Sequence, residues 1–332
     1  MTDETPADDA APDRDGTTAL PWQAAALCIV LAALWGGTPT SVRIAGDAVP
    51  PIFGGAIRFG LASLFMLVWC VARGERLIPT PAERRPCGVL GVFLFAQIAL
   101  YHTGVAMTNA SHAALFISTF IFWVAIVEHL TGSDRLSGLR WVGMGCAAAG
   151  IGAVFFSAEA RTTGEGTPPT LRGDLIVAVS GLLLGVKTLF AKRQTKRVSP
   201  GTLILWHDIV GAGLLLAFSL ATETVDLSLM TTDAALALLY QGLIVGGLCY
   251  GAQTALLEHY SASRITAFNA ATPVWGVGIA IVLLGDPVSP WLFVAAAGVA
   301  IGIVLINRRG GRTKGGEPTR DASDRRASVD GN

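Results

Sequence analysis

The sequence predicts an all-α polytopic membrane protein with ten transmembrane helices, arranged as two inverted five-helix repeats. Three observations carry that expectation. Charged residues make up only 14% of the 332-residue chain and hydrophobic ones 52%, whereas an ordinary soluble domain carries about 25% charged residues. Mean hydropathy is +0.55, and apolar runs of about 20 residues, long enough to cross a bilayer core, recur along almost the whole length. Finally, sparse landmarks of one half return in the other at nearly constant spacing.

The opening stretch, residues 1–21, is acidic and rich in Pro and Thr. It lacks the basic start and short apolar core of a secretory signal and reads as a disordered cytoplasmic tail. The first repeat, residues 22–157, holds spans over 22–44, 51–72, 86–106, 110–130 and 138–157. A Gly/Pro/Thr-rich linker follows at 158–172. The second repeat, residues 173–307, holds spans over 173–192, 201–221, 234–255, 263–284 and 288–307. Residues 308–332 are basic and Gly-rich and read as a second disordered cytoplasmic tail.

Orientation follows from the loop cations, which concentrate on the cytoplasmic side of membrane proteins. With the N-terminus inside, the inner segments hold 19 Lys and Arg and the outer loops only Arg43, Arg161 and Arg172. Both termini are therefore expected in the cytoplasm of a cell whose inner membrane the chain spans. With five spans per half, an odd number, the two halves must be inverted relative to each other. Tyr101 matches Tyr250 at a spacing of 149 residues, and Trp123 matches Trp275 and Asp134 matches Asp286 at 152. A three-residue gap near 109–113 reconciles the two spacings. Inverted repeats around a midplane site are a transporter architecture.

Composition excludes several classes. The formal net charge is +0, so no nucleic-acid partner is implied. The five cysteines form no CxxC pair and read as packing residues. "GLLLGVKT" (181–188) has the wrong spacing for a phosphate loop and lies in an apolar span. No paired-Asp metal motif, serine nucleophile motif or cofactor fingerprint is visible, so neither metal, cofactor nor enzymatic role is expected. The partners expected are a small-molecule substrate and the lipid bilayer. The small-residue pattern Gly298-xxx-Gly302 could pair helices, including those of a homodimer. The competing readings are a lipid-directed membrane enzyme and a non-transporting receptor or assembly partner. The first would need an Asp, His or Ser cluster at one membrane face, and the loops do not supply one.

The first span carries "LWGGTPTSVRIAG" (34–46), where Gly36, Gly37 and Pro39 break a helix unless neighbours satisfy the freed backbone groups. The Trp35-Gly36 pair, the Pro51-to-Arg58 segment, "ALYHTGVAMTNASHAAL" (99–115) and the end of the second half, "ATPVWGVGIAIVLLGDPVSPWLFVAAAGVAIGIVLIN", together resemble the drug/metabolite transporter superfamily, EamA type. The resemblance covers roughly residues 22–307. It implies a secondary carrier of small organic metabolites, amino acids or drug-like compounds, with export the expected direction and alternating access the expected mechanism. The chain departs from the family's pattern at two places. Its proline is kept at Pro273 but is Ile121 in the first half, and its glutamate is Asp134 and Asp286. The missing proline removes the sequence basis for a symmetric pair of broken helices.

Arg58 is the most informative polar residue. It lies seven residues into its span, roughly 10 Å deep at 1.5 Å per residue. An arginine at a helix centre costs about 2.5–3.5 kcal/mol to insert, which the Leu and Phe residues around it offset. Placement toward a polar cavity, where it could hold a carboxylate, is the functional expectation. Snorkelling to the outer surface is the alternative. Its counterpart 149 residues on is His207. The neighbouring Asp208 is the one carboxylate well inside a span, which makes the His207–Asp208 pair the candidate for proton coupling. Trp35, Gln97, Tyr101, Trp123, Tyr250, Asn269 and Trp275 complete the expected substrate pathway, and Gly36, Gly37, Pro39 and Pro273 the expected helix breaks for gating. Lys187, near the inner end of its span, is expected to snorkel.

Overall fold

The computed structural model describes residues 21–131, 137–156, 168–259 and 268–307. Residues 1–20, 158–167 and 308–332, which hold the two tails and most of the linker, lie outside the described residues, as does Asp134.

Every long element is a helix. The first span is α1 (Trp22–Gly36) and α2 (Thr38–Gly46), interrupted at Gly37. Pro39 cannot donate to the Trp35 carbonyl, so the ladder must break there. The break is healed from outside: the Tyr240 hydroxyl donates to the Leu34 carbonyl, and Gln241 Nε2 donates to the Ser41 carbonyl at 3.0 Å. Gly37 makes this approach feasible, since a methyl there would lie 2.6 Å from the Tyr240 oxygen.

Next come α3 (Pro51–Ala72) and α4 (Pro81–Met107). The latter starts five residues ahead of the sequence expectation, because Thr80 and Glu83 form a capping box before its apolar run. The fourth span is α5 (Ala110–Ile117) and α6 (Phe120–Leu130). It is interrupted at Ser118–Thr119 despite lacking the family's proline. The Ser118 and Thr119 hydroxyls donate back to the Ala114 and Phe116 carbonyls at 2.8 and 2.7 Å, a competition that bends helices. Helix α7 (Gly138–Phe156) ends the first half.

The second half opens with α8 (Leu171–Gln194) and α9 (Pro200–Thr222). Its third helix begins as α10 (Thr232–Leu239), winds into a π-helix over Tyr240–Cys249, and returns to α-geometry in α11 (Tyr250–His259). After a 3₁₀ turn at Asn269–Ala271 come α12 (Thr272–Leu284), with Pro273 in its first turn where the missing N–H costs nothing, and α13 (Pro290–Asn307). Gly285, in the left-handed region at φ 65°, ends α12.

Among the described residues, seven helical stretches are long and apolar enough to cross a membrane, and α12 and α13 are shorter apolar helices. Large apolar side chains face outward along them: Val282 is 80% exposed, and Leu64, Val68, Leu175 and Phe218 are exposed too. Such a surface is unfavourable in water and natural against lipid tails.

Two packing arrangements recur. At the first, α1 crosses α12, where a methyl on Gly36 would meet the Thr272 carbonyl oxygen, Trp275 Cβ and the Gly276 nitrogen, each at 2.9 Å. At the second, α8 crosses α6, where a methyl on Gly185 would meet the Phe120 carbonyl oxygen and Trp123 Cβ at 3.0 Å and the Val124 nitrogen at 3.4 Å. Gly36 and Gly185 are 149 residues apart, and the groups they meet are 152 apart. Helices α3 and α9 show a second reciprocity. Glu223, just past α9, accepts from the Ile52 and Phe53 amides at the start of α3, each at 2.9 Å. Glu75, just past α3, accepts from the Gly201 amide at the start of α9 at 3.0 Å. Each carboxylate satisfies orphan N–H groups of the other helix and lies at the positive end of its dipole. The two helices are therefore antiparallel neighbours.

Helix α13 packs antiparallel on α7. Gly298 faces the Cys146 carbonyl and Gly302 the Gly143 carbonyl, so that added methyls would lie 3.1 and 2.6 Å from those oxygens. The small-residue pattern offered above for a homodimer is thus consumed within the chain, because close backbone packing needs a partner helix and α7 is already there.

Candidate functional site

The elements enclose a central cavity of about 340 Å³, within the range of about 300–1,000 Å³ usual for small-molecule sites. The helix breaks shape it. Trp35, Gly36, Thr38 and Pro39 line it from the α1–α2 junction, and Ile117, Ser118, Phe120 and Ile121 from the α5–α6 junction. Asn269 and Thr272 reach it from the start of α12.

Of the expected pathway residues, Trp35, Arg58, Gln97, Tyr101, Tyr250 and Asn269 line this cavity, as do Gly36 and Pro39 of the expected breaks. Gln253 and Thr272 also belong to the wall. Trp123, His207 and Trp275 do not line it. The two tryptophans are instead the partners of Gly185 and Gly36 at the recurring crossings, and Trp275 is 44% exposed. Gly37 and Pro273 sit behind the wall, Gly37 under Tyr240 and Pro273 in the first turn of α12.

Arg58 is 7% exposed. Its guanidinium carbon lies 5.1 Å from the centroid of the Phe59 ring, a cation–π contact that holds the group in place. Its Nε and Nη1 have no hydrogen-bond partner among the described residues. The group therefore does not snorkel: it is buried, faces the cavity and keeps donors in reserve.

Lys187 overturns the snorkelling expectation. Also 7% exposed, it turns inward and donates to Gln97 Oε1 at 3.2 Å. Gln97 is held in turn by Ser180, whose hydroxyl accepts from Gln97 Nε2 at 3.1 Å and donates to the Gln97 carbonyl at 3.0 Å. The amide acceptor holds the ammonium against α4, turned away from the end of α8. The sequence signal was faint: Lys187 lies 149 residues after Thr38, another cavity residue.

Asp208 is 2% exposed and lies behind the cavity wall. Its Oδ1 is 2.8 Å from His207 Nδ1, while Oδ2 has no partner among the described residues. His207 packs edge-on against the Phe59 ring. The pair thus sits next to the arginine's own platform, within electrostatic range of both Lys187 and Arg58.

The wall is built in pairs. Trp35 and Leu184, Thr38 and Lys187, Pro39 and Thr188, and Tyr101 and Tyr250 are each 149 residues apart. Ile117 and Asn269, and Phe120 and Thr272, are each 152 apart. All twelve residues line the cavity. Among the described residues no cluster of three or more His, Cys, Asp or Glu could hold a metal ion.

Comparison with known proteins agrees with this architecture. The EamA-like transporter family matches residues 22–156 and 171–308. An uncharacterized transporter, YoaV, of Bacillus subtilis is 19% identical over 82% of this chain and 92% of its own length. The uncharacterized inner membrane transporter YedA of Escherichia coli is 23% identical over 82% of this chain and 87% of its own. A probable amino-acid metabolite efflux pump of Salmonella typhimurium is 24% identical over 84% and 93%. A solved crystal structure, 18% identical, superposes with a TM-score of 0.62 over 86% of this chain and 97% of that one. With a multi-pass apolar helical body, a central cavity and a family match over both halves, the chain belongs to the EamA-like transporter family.

Proposed function

We propose that this membrane transporter is a ten-span secondary carrier of two inverted repeats, residues 22–157 and 173–307, that exports a small organic metabolite by alternating access. The observation that carries the proposal is the paired construction of the cavity. Six pairs of lining residues at the repeat spacing are what a site on a pseudo-two-fold axis in the membrane plane would produce. The doubled glycine crossings and the reciprocal Glu75 and Glu223 caps support the same symmetry.

Each crossing joins the first helix of one half to the fourth helix of the other, and each borders the cavity. In the inverted arrangement one crossing lies toward each membrane face. Opening one while the other stays closed would expose the cavity to one side at a time, with the breaks at Gly37 and Ser118–Thr119 as hinges. Export is the direction favoured by relatives named as efflux pumps. The loop cations favour cytoplasmic termini, and His207–Asp208 is assigned the coupling proton. No homodimer is proposed.

The test is an efflux comparison in cells. Expression of the wild-type chain should raise the external level of at least one metabolite several-fold over cells lacking it. Arg58→Ala, inserted in the membrane to the same level, should return that signal to background. Full flux through the alanine variant would remove Arg58 from the pathway, and an unchanged metabolite profile with the wild-type chain would remove the export reading.

A further inference from the structure

We propose that the substrate is an organic monoanion with an apolar or aromatic body, its carboxylate held between Arg58 and Lys187. The inference rests on the carrier reading above and names its substrate class.

The first argument is charge. Two cationic side chains, both more than nine-tenths buried, line the cavity, and among the described residues no carboxylate does. Asp208 lies behind the wall with Oδ1 committed to His207, so it offsets one formal positive charge and leaves one. Buried charges in a membrane protein pair with something. With Asp208 ionised, a monoanion in the cavity brings the set to neutrality. A cation would be a third positive charge with no carboxylate to receive it. A zwitterion would place its ammonium among neutral oxygens beside two cations. A dianion would overshoot by one.

The second argument is hydrogen bonding. Nε and Nη1 of Arg58 have no partner, and of the three Lys187 donors the structure gives one to Gln97. These are open donors, and a carboxylate is the acceptor that arginine takes best. The third argument is the remaining wall. Trp35, Phe59, Tyr101, Phe120 and Tyr250 surround the cations with rings, a lining that fits an apolar body and gives a strongly hydrated inorganic anion little to contact.

The experiment measures binding on the purified full chain in nanodiscs, using three probes with the same phenyl body. These are 3-phenylpropionate, phenylalanine and phenethylamine: an anion, a zwitterion and a cation. The expected order is 3-phenylpropionate tighter than phenylalanine by about ten-fold or more, with phenethylamine weakest. Lys187→Gln and Arg58→Gln should each weaken the anion by about ten-fold or more and leave phenethylamine no weaker. Arg58→Lys, which keeps the charge and guards against misfolding, should retain the preference for the anion. Tighter or equal binding of phenylalanine or phenethylamine would overturn the assignment. So would no binding of 3-phenylpropionate, or glutamine variants that bind it as well as wild type. Binding is read without flux, so failure of the export reading shows in the cell assay alone. Efflux of a cation, by contrast, would keep the carrier and sink the anion.

Discussion

At the scale of single residues, the proposed carrier chemistry rests on four buried ionisable groups, each held differently. Arg58 is held over Phe59 and keeps free donors; Lys187 is tethered through Gln97 to Ser180; Asp208 is tied to His207 and kept off the wall. A proton taken by Asp208 removes the one negative charge near the two cations, so the cavity becomes more positive as pH falls. An anionic substrate should therefore bind more tightly at acid pH, and by linkage the bound anion should favour the protonated carboxyl. Asp208→Asn mimics the protonated form. It should bind 3-phenylpropionate at least as well as wild type does at low pH, with affinity flat across pH, and should lose any dependence of flux on a pH gradient. His207 adjoins Asp208 and also gains positive charge on protonation, and Tyr250, Lys187 and Arg58 act on the carboxylate from the facing elements. Titration of His207→Gln alongside separates the two groups: a pH response that survives Asp208→Asn would exclude Asp208 as the proton site.

At the scale of elements, the helices are joined by their ends as much as by their faces. The Glu223 carboxylate takes two amide donors at the start of α3, and Glu75 one at the start of α9. Asp286 does the same for α5, accepting from the Ser111 amide at 2.7 Å. Pro51 and Pro200 open their helices in the first turn, where the absent N–H is no loss. A capping side chain is worth about 0.5–2 kcal/mol, and a charged acceptor adds the dipole interaction of about 0.3–1 kcal/mol. Glu223→Gln and Glu75→Gln should each lower stability by about 1 kcal/mol, seen as a lower melting temperature in detergent. Glu223→Gln should cost more, because it serves two amide donors and the Ser219 hydroxyl. The caps sit at opposite ends of the α3–α9 pair and share no partner, so the double variant should be additive within about 0.5 kcal/mol. Unchanged melting in both would mean that water satisfies these amides equally well. The π-helix belongs to this scale too. Widening the turn lets Gly242, Gly246 and Gly247 approach Leu61, Ala62 and Phe65 of α3, while Tyr240 and Gln241 reach the broken first span. Rare π-turns concentrate at functional sites, and this one fastens the cavity's helix break.

At the scale of the whole molecule, the proposed symmetry and the charge distribution make one joint demand. Inverted halves of five spans would put both termini on one side, and the loop cations favour the cytoplasm for that side. A fluorescent protein fused after Asn332 should fluoresce in bacterial cells, and alkaline phosphatase fused after Pro168 should be active, since fluorescence requires the cytoplasm and phosphatase activity the other face. The opposite pattern would invert the molecule. Nine or eleven spans would put the two termini on different sides, which a second fluorescent fusion at the N-terminus would reveal.

What the sequence determined by itself is what depends on local composition and period. Chain-long apolar runs predicted the helices, and α3 and α9 fall within two residues of the spans read for them. Gly37 and Pro39 announced the first break, and the Thr80–Glu83 box was there to announce the early start of α4. Arg58 could be singled out because a charge in an apolar run is conspicuous wherever it points. Where it points was not legible, and neither was the role of Lys187. Only the placement of α4 brings Gln97 to Ser180 and Lys187 of α8, where it holds the lysine inside. Trp123 and Trp275 were likewise visible as matched residues, but their task, receiving Gly185 and Gly36, is a contact between distant helices. Hydrophobicity and helix propensity act along the chain and leave their record there. Which polar groups share one cavity is decided by helix crossings between residues up to 240 apart, and that information exists only once the helices have packed.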